Sequence, residues 1–313
     1  MGSNRIRGAL AGLSVAAGLA IAGQSIAADL TAKRLPPEAA PAPAQTPLID
    51  FVFGARIQSD YNFRGISQSD HRESGQTYFE AQYLDNLFYT GFATAKVDLP
   101  TRPAMEFDLT AGIRPKWGPL TFDLGVIYYN YPGERALFPG VAPANTDFLE
   151  FAAKASWAVN DAFTLGANVF YAGNWLGTHA DGTYVSGTAK YVIPTDLLGV
   201  EGFAVSGEFG HYFLGRTAPW TGGVGVPTNL IDYNYGNVGV SYTWRAFTLD
   251  VRGHFTDLNK TECFINTGDP RGVINGTGRS NWCGDAVVAT LSLDLQASKI
   301  YEQLGLDGPG VPR

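Results

Sequence analysis

Apolar and polar side chains alternate residue by residue along twelve separate segments of this 313-residue chain. In a β-strand successive side chains point to opposite faces, so each segment reads as a strand with one oily and one wet face. In the first, Phe51, Phe53, Ala55, Ile57, Tyr61 and Phe63 share one face, while Val52, Gly54, Arg56, Gln58, Asp60 and Asn62 share the other. A strand running from residue 51 to residue 63 is far longer than the typical 5–6 residues of soluble strands, and a bilayer-crossing strand needs about 9–11. The expected fold is therefore all-β, a transmembrane antiparallel up-and-down β-barrel of twelve strands spanning residues 49–295.

The same pattern assigns faces down the chain. In the third segment Tyr89, Gly91, Ala93, Ala95 and Val97 read as lipid-facing against Thr90, Thr94, Lys96 and Asp98; the tenth is the least regular, with Tyr233 and Tyr235 on its polar face. Short turns at 84–86, 116–119, 159–162 and 245–246, and a longer one at 193–202, alternate with long polar loops at 64–76, 99–105, 132–146, 175–182, 214–231 and 257–285. Membrane barrels keep short turns in the periplasm and long loops outside, so both termini are expected in the periplasm. A turn at Arg245-Ala246 would set Tyr242 opposite Leu249, Ser241 opposite Asp250 and Val240 opposite Val251. Likewise Trp157 would face Phe163, and Ala155 would face Leu165. Aromatics cluster at both strand ends, among them Tyr83, Tyr89, Trp157, Phe163 and Trp244 on the turn side and Tyr61, Phe63, Tyr128, Tyr171 and Phe255 on the loop side. Two such girdles mark the two interfaces of a bilayer.

The N-terminus carries Arg5 and Arg7, then the apolar run 9–23, then Ser25-Ile26-Ala27. This is the layout of a secretory signal peptide, expected at 1–27, and the apolar run is short of the roughly 20 residues a spanning helix requires. Residues 28–48, rich in Pro and Ala, read as an extended periplasmic linker. Residues 296–313 read as a periplasmic tail. The 38 glycines and 34 Phe and Tyr residues (19 and 15) suit a β wall. A net charge of -7 with pI near 5.1 argues against a nucleic-acid partner, which basic patches would bind.

The run Ser59-Asp60-Tyr61-Asn62-Phe63-Arg64-Gly65-Ile66-Ser67-Gln68-Ser69-Asp70 resembles the opening signature of the TorF-type porins of proteobacteria. Gly112, and Phe122-Asp123-Leu124-Gly125 followed by Tyr128-Tyr129-Asn130-Tyr131-Pro132-Gly133, are similar in style, and the resemblance covers residues 50–295. It implies an outer-membrane barrel with a channel role and brings no substrate or binding residues with it. The chain departs from the usual pattern by continuing past its last strand.

Charged residues read onto the wet face are the candidates for pore lining: the acids Asp60, Glu80, Asp98, Glu106, Asp108, Asp123, Glu150, Glu208, Asp250 and Asp294, and the bases Arg56, Lys96, Arg114, Lys154, Lys190 and Arg252. Ten acids against six bases would give a weak cation preference. The same charges could instead pair across the lumen and brace a plugged barrel. Twelve strands lie between the side-chain-filled barrels of about 8 and the open channels of about 16–18, so a narrow bore is expected. Arg64-Gly65 could guard the outer mouth or simply end a strand. Cys263 and Cys283, both in the last loop, are expected to pair in an oxidising compartment. No cofactor, metal site or catalytic group is read from the sequence. A lipase with a surface Ser–His pair has only His211 to offer, with Thr183, Asp232 and Asn234 near its level and no outward Ser. The leading expectation is a narrow outer-membrane channel of a Gram-negative bacterium for passive passage of small hydrophilic solutes or ions. A plugged structural or adhesive barrel acting through its loops is the alternative, and a lipase is a distant third. Expected partners are outer-membrane lipids, those solutes or ions and the outer-membrane assembly machinery, with a homo-oligomer left open.

Overall fold

The computed structural model describes residues 48–137, 143, 145–218 and 227–306. The signal-peptide segment, all of the linker but Leu48, and the end of the tail lie outside the described residues. Twelve long strands form the wall: β1 (Ile49–Gln58), β2 (Ser74–Tyr83), β3 (Phe88–Ala95), β4 (Glu106–Ile113), β5 (Leu120–Asn130), β6 (Phe148–Ala158), β7 (Phe163–Ala172), β8 (Gly182–Val192), β9 (Phe203–Leu214), β10 (Tyr233–Trp244), β11 (Phe247–Thr256) and β12 (Ala286–Gln296). Each pairs antiparallel with its chain neighbours, and β1 closes on β12 from Val52 opposite Gln296 to Gln58 opposite Thr290. Closure leaves no unpaired edge, a condition for β-structure in hydrocarbon. The outward face is mainly apolar, with Val287 75 % and Phe209 61 % exposed, a surface suited to contact with lipid.

Register follows the turns. Tyr242 sits opposite Leu249, Ser241 opposite Asp250 and Val240 opposite Val251, as the Arg245-Ala246 turn requires. At the β6–β7 turn the expected register is two residues off: Trp157 faces Leu165, not Phe163. The reason is local. The Asn160 side chain accepts from the backbone N–H of Ala162 (2.9 Å) and of Phe163 (2.8 Å), closing a wider turn than counting residues suggests. A two-residue shift keeps every side chain on its face, so the polarity pattern could not detect it.

The phase of β3 is inverted relative to the expectation. Tyr89, Ala93 and Ala95 are buried inside the barrel, while Phe88 and Phe92 are exposed outside. Phe92 belongs to an outward ladder, Phe51–Phe79–Phe92–Phe107, with ring centroids 5.5, 5.8 and 6.0 Å apart. Thr94 is tolerated on that face because its hydroxyl pairs with that of Thr77 at 2.9 Å. The tail turns back at Ala297–Lys299 into a short helix, Ile300–Leu304, beside the β10–β11 turn, where Arg245 donates to the Leu304 carbonyl.

Candidate functional site

The first strand stops at Gln58, well short of the expected residue 63, and the chain turns into the barrel. Asn62–Phe63 pairs with Ile66–Ser67 as a small hairpin. Its tip is Arg64-Gly65, both at positive φ (48° and 88°), the geometry of a two-residue hairpin turn that glycine makes accessible. Asp60 sits at the base, accepting from the hydroxyls of Ser67 (2.6 Å) and Ser69 (3.0 Å). The alternation that reads as a long wall strand is therefore a strand followed by a plug, and Tyr61 and Phe63 lie inside the barrel rather than in a girdle.

Arg64 reaches across to the opposite wall. Its Nη1 donates to Glu150 Oε1 at 2.7 Å and its Nη2 to Oε2 at 2.9 Å, a two-pronged pairing, while Nη1 also donates to the Tyr212 hydroxyl at 3.0 Å. Four rings surround the guanidinium, those of Phe63, Phe170, Tyr184 and Tyr212, with centroids 4.5–5.1 Å from Cζ. Beside it Glu106 accepts from the hydroxyls of Tyr61 (2.6 Å) and Tyr131 (2.9 Å). Tyr233 and Tyr235, the irregular residues of β10, belong to the same buried aromatic cluster. Every wall strand brings at least one buried inward side chain or glycine to this level: Gln58, Gln76, Ala95, Glu106, Tyr129, Glu150, Phe170, Tyr184, Tyr212, Tyr235, His254 and Val288, in strand order. These side chains and the hairpin block the outer half of the barrel.

The last loop holds the hairpin from above. It carries α1 (Lys260–Thr267), started by a capping box between Asn259 and Glu262, and α2 (Pro270–Ile274), capped by Asp269. Cys263 and Cys283 are disulfide-bonded and tie α1 to the segment before β12. From that segment the Trp282 carbonyl accepts from Ser67 N–H at 2.8 Å, and Trp282 Nε1 donates to Asp70 at 2.7 Å. Arg271 pairs with the same Asp70 at 2.7 Å. His71 bridges the two pieces: Nδ1 lies 3.0 Å from Asp60 and Nε2 2.7 Å from the Asn281 carbonyl. Two acceptors on one ring are both satisfied only by the imidazolium. The Asp60 hydrogen bond raises the His71 pKa, with burial opposing it. Burial pushes the Asp60 carboxyl up, but hydrogen bonds from His71, Ser67 and Ser69 outweigh it and hold the pKa below the ordinary value.

The turn-side half is polar and partly open to water. Arg114 donates to both Glu80 oxygens (2.6 and 2.8 Å) and to Asp123 (3.3 Å), and lies 3.7 Å from the Tyr89 ring centroid. Asp123 also accepts from Tyr89 (2.8 Å) and Lys154 (3.5 Å). Arg252 pairs with Asp250 and donates to Ser206, Tyr184 donates to Glu208, and Tyr78 donates to Asp294. Arg56 and Lys190 are partly exposed on the same inner surface. Thirteen of the sixteen expected pore residues thus lie on the inner wall, and three do not. Asp60 is in the plug. Lys96 and Asp98 stand at the exposed rim, paired with Glu73 and Arg72, because the inverted phase of β3 turns Lys96 outward. Arg64, which the sequence offered either as a guard of the outer mouth or as the end of a strand, holds the centre; the glycine that follows it and its place in the 59–70 run were its signals. His211 faces outward, with Asn234 at 2.9 Å and the Phe213 ring edge-on.

A family model described as "Bacterial protein of unknown function (Gcw_chp)" matches residues 42–257. The chain belongs to this family. The Gcw_chp match takes in β1 through β11 and the whole plug hairpin, and stops before the disulfide loop and β12. No curated protein matches the chain. Among solved structures it is similar to the NanC porin (11 % identity, 79 % of this chain and 100 % of that one, TM-score 0.46) and the KdgM porin (8 %, 79 % and 97 %, 0.41). OccK3 of Pseudomonas aeruginosa is also similar, at 12 % identity, 71 % and 57 % coverage and TM-score 0.36.

Proposed function

We propose that this chain is an outer-membrane channel of the TorF-type porin kind, held shut in the conformation described by the hairpin at 62–67. The observation that carries the reading is the Arg64–Glu150 anchor. The inner wall is lined with charge down to the turn side, and the outer half is blocked by a separate hairpin that the Arg64–Glu150 pair ties to the wall and the disulfide loop holds from above, packed among inward side chains of the wall. With the hairpin displaced, the polar wall suits small hydrophilic solutes or ions. Residues 1–27 would direct export to the periplasm of a Gram-negative bacterium, 28–48 would serve as a periplasmic linker, and the assembly machinery would insert the barrel with its long loops outside.

A second reading has its own support. Buried inward residues at one level on all twelve strands fit a permanently plugged barrel that acts through its loops. Planar-bilayer recording separates the two. The wild-type protein should show rare openings, and replacing residues 62–67 by a short Gly-Ser link should give a steadily conducting pore. A folded barrel that stays silent without its hairpin returns the protein to the plugged reading.

A further inference from the structure

The closed outer half is not solid. Between the hairpin, the disulfide loop and the wall lies a cavity of about 240 Å³. Its walls are mainly apolar and aromatic, with Phe148, Trp175, Leu230, Tyr233 and Trp282 contributing ring or branched side chains. Among the described residues Glu106 is the only charged one lining it, and both Glu106 oxygens are already occupied by the Tyr61 and Tyr131 hydroxyls. Of the two lining amides, Asn266 is likewise closed on the backbone of Ile231, accepting at 2.8 Å and donating at 2.9 Å, and Gln68 donates to the Ile66 carbonyl at 3.2 Å. Among the described residues neither lysine nor arginine lines the space.

We propose that this cavity is a binding site for an uncharged aromatic small molecule of one or two rings. Size sets the upper limit: a dry apolar cavity of about 150 Å³ takes a single benzene, and this one is larger by roughly half. The ring faces and edges on the wall favour an aromatic occupant by offset and edge-to-face packing. Chemistry sets the charge. An anion would lose its hydration with no cation to receive it and would lie beside the Glu106 carboxylate, so it is rejected. Threonine hydroxyls on the lining, those of Thr101 and Thr217, can meet a single hydroxyl or N–H substituent. The site is built jointly by the seated hairpin (Phe63, Ile66) and the disulfide loop (Ile265, Trp282), so it exists in the closed state whether or not the barrel ever conducts. A ligand that binds only this state favours it by mass action.

The test uses the full-length protein in lipid nanodiscs, with empty nanodiscs as the blank. 2-Naphthol and its anionic counterpart 2-naphthoate are compared by isothermal titration and by saturation-transfer NMR. The expected result is saturable one-site binding of 2-naphthol in the high-micromolar range or tighter, with 2-naphthoate weaker by about tenfold or more. Leu99→Trp, which adds bulk to the lining, should abolish 2-naphthol binding; should that variant fail to fold, Leu99→Phe adds less volume and should still weaken binding. Folding is checked by the heat-dependent gel mobility of intact barrels. Equal binding of the two probes, binding unchanged in the folded filling variant, or no saturable binding beyond that of empty nanodiscs would each overturn the proposal.

Discussion

Removing the charge of Glu150 should unseat the hairpin. In Glu150→Gln the shape of the side chain is kept, but the guanidinium of Arg64, a residue only 3 % exposed, loses its counter-charge. Leaving one partner of a buried pair unmatched costs about 3–5 kcal/mol. The lower figure applies here, because the four surrounding rings and the Tyr212 hydroxyl remain to receive Arg64. In the open state both Arg64 and residue 150 meet water, so the loss falls on the closed state alone. At 1.4 kcal/mol per tenfold, about 3 kcal/mol raises the open-to-closed ratio by roughly 100-fold. Single-channel recording of the refolded variant reads this directly as open probability. The double variant Arg64→Met with Glu150→Leu is the control, because an apolar replacement of a buried pair is close to neutral or stabilising; it should stay closed like the wild type. The reasoning is refuted if Glu150→Gln opens no more often than wild type, or if the double variant opens as often as the single one.

Three further outcomes are expected. His71 has its pKa raised in the folded loops, so its contribution to holding the hairpin is complete below the unfolded value of about 6.5 and fades as pH rises through the raised value; openings should grow more frequent as pH rises above that unfolded value, and His71→Gln should flatten the dependence. Cys263 and Cys283 are 20 residues apart, and cross-links of this span hold typically 2–4 kcal/mol; the double Ser variant should be cut faster by trypsin at Arg271 and Arg279, and an unchanged cleavage rate would remove the bridge from the account of loop order. With Asp60, Asp98 and Lys96 taken out of the list, the inner wall carries eight acids (10 − 2) and five bases (6 − 1); the hairpin-deleted barrel should keep a weak cation preference, and Asp250→Lys should move its reversal potential toward anion selectivity across a salt gradient.

The wall was legible because each of its strands has one job on each face. Lipid outside and water or charge inside impose period two, from which strand number and closure follow, while the β10–β11 register follows from its two-residue turn. Legibility failed where a side chain serves both faces. Tyr89 reads as oily, yet its hydroxyl is needed by Asp123 and its ring by Arg114, so it faces inward and takes Ala93 and Ala95 with it. Thr90 and Thr94 read as wet, yet the outer face accepts them. A strand built of Ala, Gly and Thr has little polarity contrast, and a single misassigned aromatic inverts all of it, carrying Lys96 and Asp98 to the wrong side of the wall.

The plug was hidden for a different reason. From Phe51 to Phe63 the alternation is interrupted only at Ser59, just past the end of β1, and resumes in the same phase, because the hairpin inside the lumen also has two faces: Phe63 packs on Arg64, while Asp60 and Asn62 serve the turn, Asn62 accepting from Gly65 N–H at 3.0 Å. Period two reports that the chain is extended and two-sided; it does not report what lies on each side. What separates wall from plug is the pair of positive-φ residues, and a turn there needs only one glycine, since the guanidinium bonds available to Arg64 offset the strain of its own left-handed backbone. The TorF-like signature, 59–70, coincides with this hairpin and its base. That coincidence places the most specific stretch of the sequence on the element that closes the barrel, which is where a channel's regulation, or a plugged barrel's rigidity, has to reside.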